Sequence, residues 1–242
     1  RRADRDIATD YDHRQTNFTH VAFVDLECFG IYQPPPQALP PLAQSFGLLT
    51  LSQPFLADFE IICADGKRLG CSRKLLDDRW TWFRQQMDDF KDRSKGILAV
   101  QQRRLDGRES DAGIKVEEET SIPPRSSAKS SSDLRLTPRT LNLPEPSPIV
   151  EAFLQYIYTL TLCTPLQLSL PVLTRLLVFS KTYEDPSLRA VVVHALHETL
   201  AVMPTAATAV YEASMLGGCT ALQIRALKQI MVSPPVLLFS WY

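Results

Sequence analysis

Residues 143–159 read Leu143-Pro144-Glu145-Pro146-Ser147-Pro148-Ile149-Val150-Glu151-Ala152-Phe153-Leu154-Gln155-Tyr156-Ile157-Tyr158-Thr159. From Ile149 onward, Ile149, Val150, Phe153, Leu154, Ile157 and Tyr158 recur at helical spacing on one broad face. Pro148 suits the first turn, where a helix has no use for a backbone N–H. The stretch predicts a core helix, and the sequence on both sides reads as the rest of its fold.

Downstream, four more helices follow. Leu173, Leu176 and Leu177 mark one; Leu188, Val191, Val192, Ala195, Leu196 and Leu200 mark the next, with Asp185 as N-cap and Pro186 in the first turn. Thr205 is expected to cap a third that Gly217-Gly218 stops, and Thr220 a fourth carrying Ile224, Leu227 and Met231. Upstream, the alternation of Leu134, Leu136, Leu141 and Leu143 suits a strand over residues 134–143. Further back, Phe59, Ile61 and Cys63 alternate ahead of Asp65-Gly66, a strong hairpin signal, and Arg68-Leu69-Gly70-Cys71 returns as the second strand. Ser72 then reads as the N-cap of a helix carrying Leu75, Leu76, Trp80 and Phe83.

Between these halves, residues 88–138 carry charges of both signs, a Glu117-Glu118-Glu119 run and a serine-rich run, with few apolar side chains to offset chain entropy. The expectation is a disordered insert, with a short helix near residues 97–104. Five prolines among residues 34–41 make 33–41 an extended linker. Before it, residues 20–32 are β-branched and aromatic and predict a short hairpin, too small to be stable alone and so the remnant of an upstream β domain over residues 1–32.

Composition narrows the function. The chain has 242 residues, 45% hydrophobic, and a formal net charge of -1 at pH 7, so no basic field draws it to nucleic acid or to an anionic membrane. No apolar run approaches membrane-spanning length, and the start lacks signal-peptide architecture. Cys28, Cys63, Cys71, Cys163 and Cys219 stand singly, without a CxxC pair, which fits buried thiols without disulfides in a cytoplasmic setting, the nucleus being the alternative. No phosphate-binding glycine loop and no nucleophile elbow occur. His194 and His197 sit three apart on one helix, yet nothing near them in sequence completes a four-ligand zinc site. We expect no cofactor, no metal and no catalytic residue.

The order hairpin, helix, interruption, strand, helix and helical hairpins resembles the BTB/POZ domain. Ala57-Asp58-Phe59-Glu60-Ile61-Ile62 is similar to the family's opening aspartate and strand. Cys71-Ser72-Arg73-Lys74-Leu75-Leu76 through Arg79-Trp80-Thr81-Trp82-Phe83 is similar to its strand-to-helix stretch, and Phe153 to Thr159 to its helix ending in Tyr-x-Tyr-Thr. A histidine is usual where Ser72 stands, and the 88–138 interruption replaces a short connection. Residues 18–32 resemble the last strands of a kelch blade, and a Pro-rich spacer ahead of a BTB domain resembles fungal kelch-BTB proteins, including those linked to Ras signalling.

The resemblance implies an α+β fold with a small mixed sheet flanked by helical hairpins: a BTB-like domain over 42–202, a helical extension over 203–233 and a tail over 234–242. It implies an adaptor or scaffold that dimerises through the apolar segment 42–51, with Leu42, Phe46, Leu48 and Leu49 as anchors and a further protein as partner. Two other functions stand beside it: a substrate receptor of a cullin ubiquitin ligase, for which the insert lies where ligase-recruiting relatives make contacts and no contact motif is evident, and an enzyme.

Overall fold

The computed structural model describes residues 23–109 and 138–232. Strands β1 (Phe59–Ile62) and β2 (Arg68–Cys71) form the expected hairpin, pairing Phe59 with Cys71 and Ile62 with Arg68. Its turn explains the Asp-Gly pair: Gly66 has φ +80°, and the Asp65 carboxylate accepts the Lys67 N–H. Strand β3 (Thr140–Asn142) joins the other side of β1 in parallel, so the order is β2-β1-β3. Phe59 and Ile61 point into the core while Glu60 and Ile62 are only half-buried, the two-residue period of a sheet with one covered face.

The helices are α1 (Pro41–Leu51), α2 (Arg73–Arg79), α3 (Thr81–Glu109), α4 (Ser147–Thr159), α5 (Pro165–Leu168), α6 (Leu170–Thr182), α7 (Pro186–Val202), α8 (Ala207–Gly217) and α9 (Thr220–Val232). The architecture is therefore α+β: a small mixed sheet against helices, with helical hairpins behind it. All six apolar positions read from the α4 sequence are buried. At roughly 1.5–3 kcal/mol for each large side chain removed from water, that face alone explains why α4 lies in the middle.

Trp80 is the hub of this core. It sits in extended conformation between α2 and α3, 1% exposed, with Phe153 4.6 Å, Tyr183 5.7 Å and Phe83 5.9 Å away between ring centroids. The predicted single helix after Ser72 is thus broken in two, because burying this indole requires the chain to leave the helical path. Ser72 also makes no side-chain cap. The start of α2 is satisfied from elsewhere: the Arg73 N–H donates to Asp58 (2.6 Å) and the Ser72 N–H to the Tyr158 hydroxyl (2.7 Å).

Several other expectations change. Residues 23–32 form no strand: Asp25 caps a 3-10 turn, Leu26–Phe29, which Gly30 closes in the left-handed region, and the segment packs on the C-terminal helices. Residues 1–22 lie outside the described residues, as does the tail beyond 232. The stretch from 88 opens as the continuation of α3 to Glu109, where helix-forming residues and the Lys91–Asp88 and Lys95–Asp92 pairs three apart support the helix. Residues 110–137 of the insert, and with them Leu134 and Leu136, lie outside the described residues, among which the strand covers Thr140–Asn142.

Asp185 caps α7 as read, accepting the Leu188 N–H at 2.9 Å, whereas Thr205 lies inside a 3-10 turn, Pro204–Ala206, and Thr220 is itself the first residue of α9. Cys28, Cys63 and Cys71 are buried, but Cys163 is exposed. The residues of the helical extension, among them Val210, Leu222 and Ala226, belong to the same core as α4 and α6.

Candidate interaction surfaces

Helix α1 packs against α4 through a close approach. A Cβ at Gly47 would lie 2.5 Å from the Tyr158 carbonyl oxygen, so a glycine is needed there. Gln44, buried beside it, turns its amide to the Leu39 carbonyl (2.8 Å). The opposite face is open: Leu42 (70% exposed), Phe46 (60%) and Leu49 (58%) form a stripe at helical spacing, and the sequence-predicted anchors are brought together there. Leu48 is the exception. It is half-buried and lines a cleft with Leu51, Leu69 and Leu154.

In the 3-10 turn Pro54–Leu56 that follows, Phe55 (79% exposed) and Leu56 are exposed as well, two residues the sequence reading left out. The signal that marks them is charge: no charged residue occurs between Glu27 and Asp58. The hydroxyls of α1, and of Ser52 that ends it, bond back to backbone carbonyls. Ser45 donates to the Pro41 carbonyl, Thr50 to Phe46 and Ser52 to Leu49. The result is an uncharged run of exposed apolar side chains on a surface helix and the turn after it, the kind of surface that marks an association site.

A second constellation gathers at the other end. His197 of α7, with a fully buried side chain, has Nε2 3.0 Å from the Glu27 carboxylate and Nδ1 2.8 Å from the Arg225 guanidinium of α9. The Tyr32 ring lies 4.6 Å from the His197 ring, and its hydroxyl is 2.6 Å from Nδ1 of His194. Burial, the largest influence, and Arg225 pull the His197 pKa below its ordinary value, while Glu27 pushes the other way. Burial likewise raises the Tyr32 hydroxyl. Lys228 sits 3.4 Å over the Phe29 ring. Gly30 suits its place because its φ is +77°, and it lies against the Arg225 guanidinium, which a Cβ there would meet at 2.6 Å and push aside.

The two histidines considered for zinc are therefore occupied with Tyr32, Glu27 and Arg225. Among the described residues no three His, Cys, Asp or Glu side chains gather as a metal site would require. Nor is any helix among the described residues long and apolar enough to cross a membrane. Ser147, which precedes Pro148, is buried at the start of α4, where its N–H donates to Asp65 (3.1 Å).

No family model matches the chain. It is similar to Protein ral2 of Schizosaccharomyces pombe (strain 972), with 28% identity over 232 residues, 93% of this chain. The chain spans about a third of the length of that curated relative, 34%.

Proposed function

We propose that the chain is a non-catalytic self-association and adaptor module of BTB/POZ type from a kelch-BTB protein acting in Ras-type signalling in the cytoplasm, and that two copies meet through the ridge Leu42, Phe46, Leu49, Phe55 and Leu56. The observation that carries this reading is the uncharged, exposed ridge on α1 and the turn after it. A soluble monomer seldom leaves a contiguous apolar patch of this kind uncovered. The order β1-β2-α2-α3-β3-α4, with β3 parallel to β1, supports the BTB-like part of the reading, and the fungal relative supports the setting.

Self-association by this surface is isologous, the same ridge on each copy, and therefore closes at a dimer. Light scattering of the intact chain at micromolar concentration should give twice the monomer mass. The double variant Leu42→Lys, Phe46→Lys should give the monomer mass with an unchanged far-ultraviolet spectrum. A wild-type chain that stays folded and monomeric would overturn the proposal. Retention on a cullin N-terminal domain in a pull-down would favour the ligase-receptor reading instead.

A further inference from the structure

We infer that residues 25–32 are a latch that straps the chain upstream of the core onto α7 and α9, and that it opens when His197 takes up a proton. The geometry assigns every proton around this ring. A guanidinium can only donate, so Nδ1 of His197 must accept from Arg225, 2.8 Å away, and the single ring proton sits on Nε2, aimed at Glu27. His197 is therefore held as the neutral Nε2–H tautomer between an acceptor and a donor that cannot exchange roles.

The contrast with His194 shows why His197 is the trigger. The partner of His194 is the Tyr32 hydroxyl at 2.6 Å, which can turn from donor to acceptor when the ring gains a proton, and Glu198 lies 3.6 Å from its other nitrogen. Arg225 has no such freedom. A second proton on His197 would place an N–H of a fully buried ring against a guanidinium. Glu27 favours the charged ring, but burial and Arg225 oppose it, and the balance falls on the neutral side. Around the site are also Asp25, capping the turn, Lys228, engaged with Phe29, and Arg189 and Cys219, which line the same cleft as Glu27 and Tyr32.

The guanidinium is packed between the strap and the ring, close enough to Gly30 that a Cβ there would stand 2.6 Å from it, so a shift of Arg225 away from a charged ring disturbs the strap as well. Charging His197 is relieved by lifting residues 25–32, which admits water and frees Arg225. The sign follows: His197 is a base whose pKa is depressed when latched, so the unlatched chain binds the proton more readily. The latch is strongest above the ordinary histidine value of 6.5 and weakens as pH falls below it.

The test is hydrogen exchange on the intact chain at about pH 7.5 and about pH 5.5, corrected for intrinsic exchange rates. The reporters are the Gly30 and Ile31 amides, which donate to the Glu27 and Leu26 carbonyls within the strap. Their protection should fall by at least about fivefold at the lower pH while α4 amides keep theirs. In Arg225→Gln, whose amide can present oxygen to a protonated Nδ1, the pH response should disappear. Unchanged protection in the wild type, an equal response in Arg225→Gln, or a parallel loss across α4 would each overturn the inference. Should Arg225→Gln fail to fold, His197→Asn, which removes the titrating ring, takes its place with the same expected and overturning results.

Discussion

Trp80 and His197 are each 1% exposed, and each ties together segments far apart in the chain, yet they do so by different physics. Around Trp80 the neighbours are rings, Phe83, Phe153, Phe179 and Tyr183, and the attraction scales with area and hardly with angle. The indole N–H has no hydrogen-bond partner among the described residues, a cost that the surrounding apolar contact outweighs. Around His197 both nitrogens are engaged, and the arrangement depends on which atom carries the proton. The first region resists changes of solution conditions and fails by losing volume. The second keeps its packing only in one protonation state.

The largest expected effect comes from emptying the first region. Trp80→Ala should lower stability by about 3–5 kcal/mol in urea denaturation. A loss below about 1 kcal/mol would mean that Phe153, Phe179 and Tyr183 collapse into the gap, and the contrast between the regions would weaken. Next comes Gly47→Ala. Helix propensity alone would favour alanine by about 1 kcal/mol. The Cβ would stand 2.5 Å from backbone oxygen, which cannot swing aside, so the net result should be a loss of about 1–3 kcal/mol and a weaker dimer by light scattering.

Asp185 lies between the two regimes, a buried carboxylate with one oxygen on the Leu188 N–H and the other without a partner. Asp185→Ala should cost about 1 kcal/mol as a lost cap. Burial raises the Asp185 pKa, so its ionisation on going from acid to neutral pH works against the folded state. Asp185→Asn keeps the acceptor and removes the charge. Its urea midpoint at neutral pH should match or exceed wild type, and a midpoint below that of Asp185→Ala would refute this account. The smallest effect is one of reactivity. Alkylation followed by mass spectrometry should modify exposed Cys163 first and Cys71 last, since burial, with a lesser contribution from Asp58, pushes the Cys71 thiol up to about 12.

Much of the first region is legible in the sequence, because its cues are local. The Asp65-Gly66 turn, the apolar face of α4 and the Asp185-Pro186 start of α7 each follow from a few adjacent residues. The α1 stripe was also legible in Leu42, Phe46 and Leu49, though Leu48 proved to face inward and Phe55 and Leu56 were missed. In the second region the helices α7 and α9 were read, but the segment that closes over them was not. Residues 23–32 look like a strand because Val, Phe, Ile and Tyr favour extended pairing, but no partner strand is offered to them among the described residues, and the surfaces of α7 and α9 are.

Local periodicity and turn chemistry thus determined the hairpin and the central helix, while the α+β class and the anchors Leu42, Phe46 and Leu49 rested on the resemblance that the motifs carry. Tertiary structure alone decided the break at Trp80, the capping of α2 by Asp58 and Tyr158, and the meeting of Glu27 with His197 and Arg225. Those partners lie 15 to 170 positions apart in the chain. A pattern of side chains along one helix or strand carries no record of which distant donor will face which acceptor, because that pairing is set only when the packed faces come together.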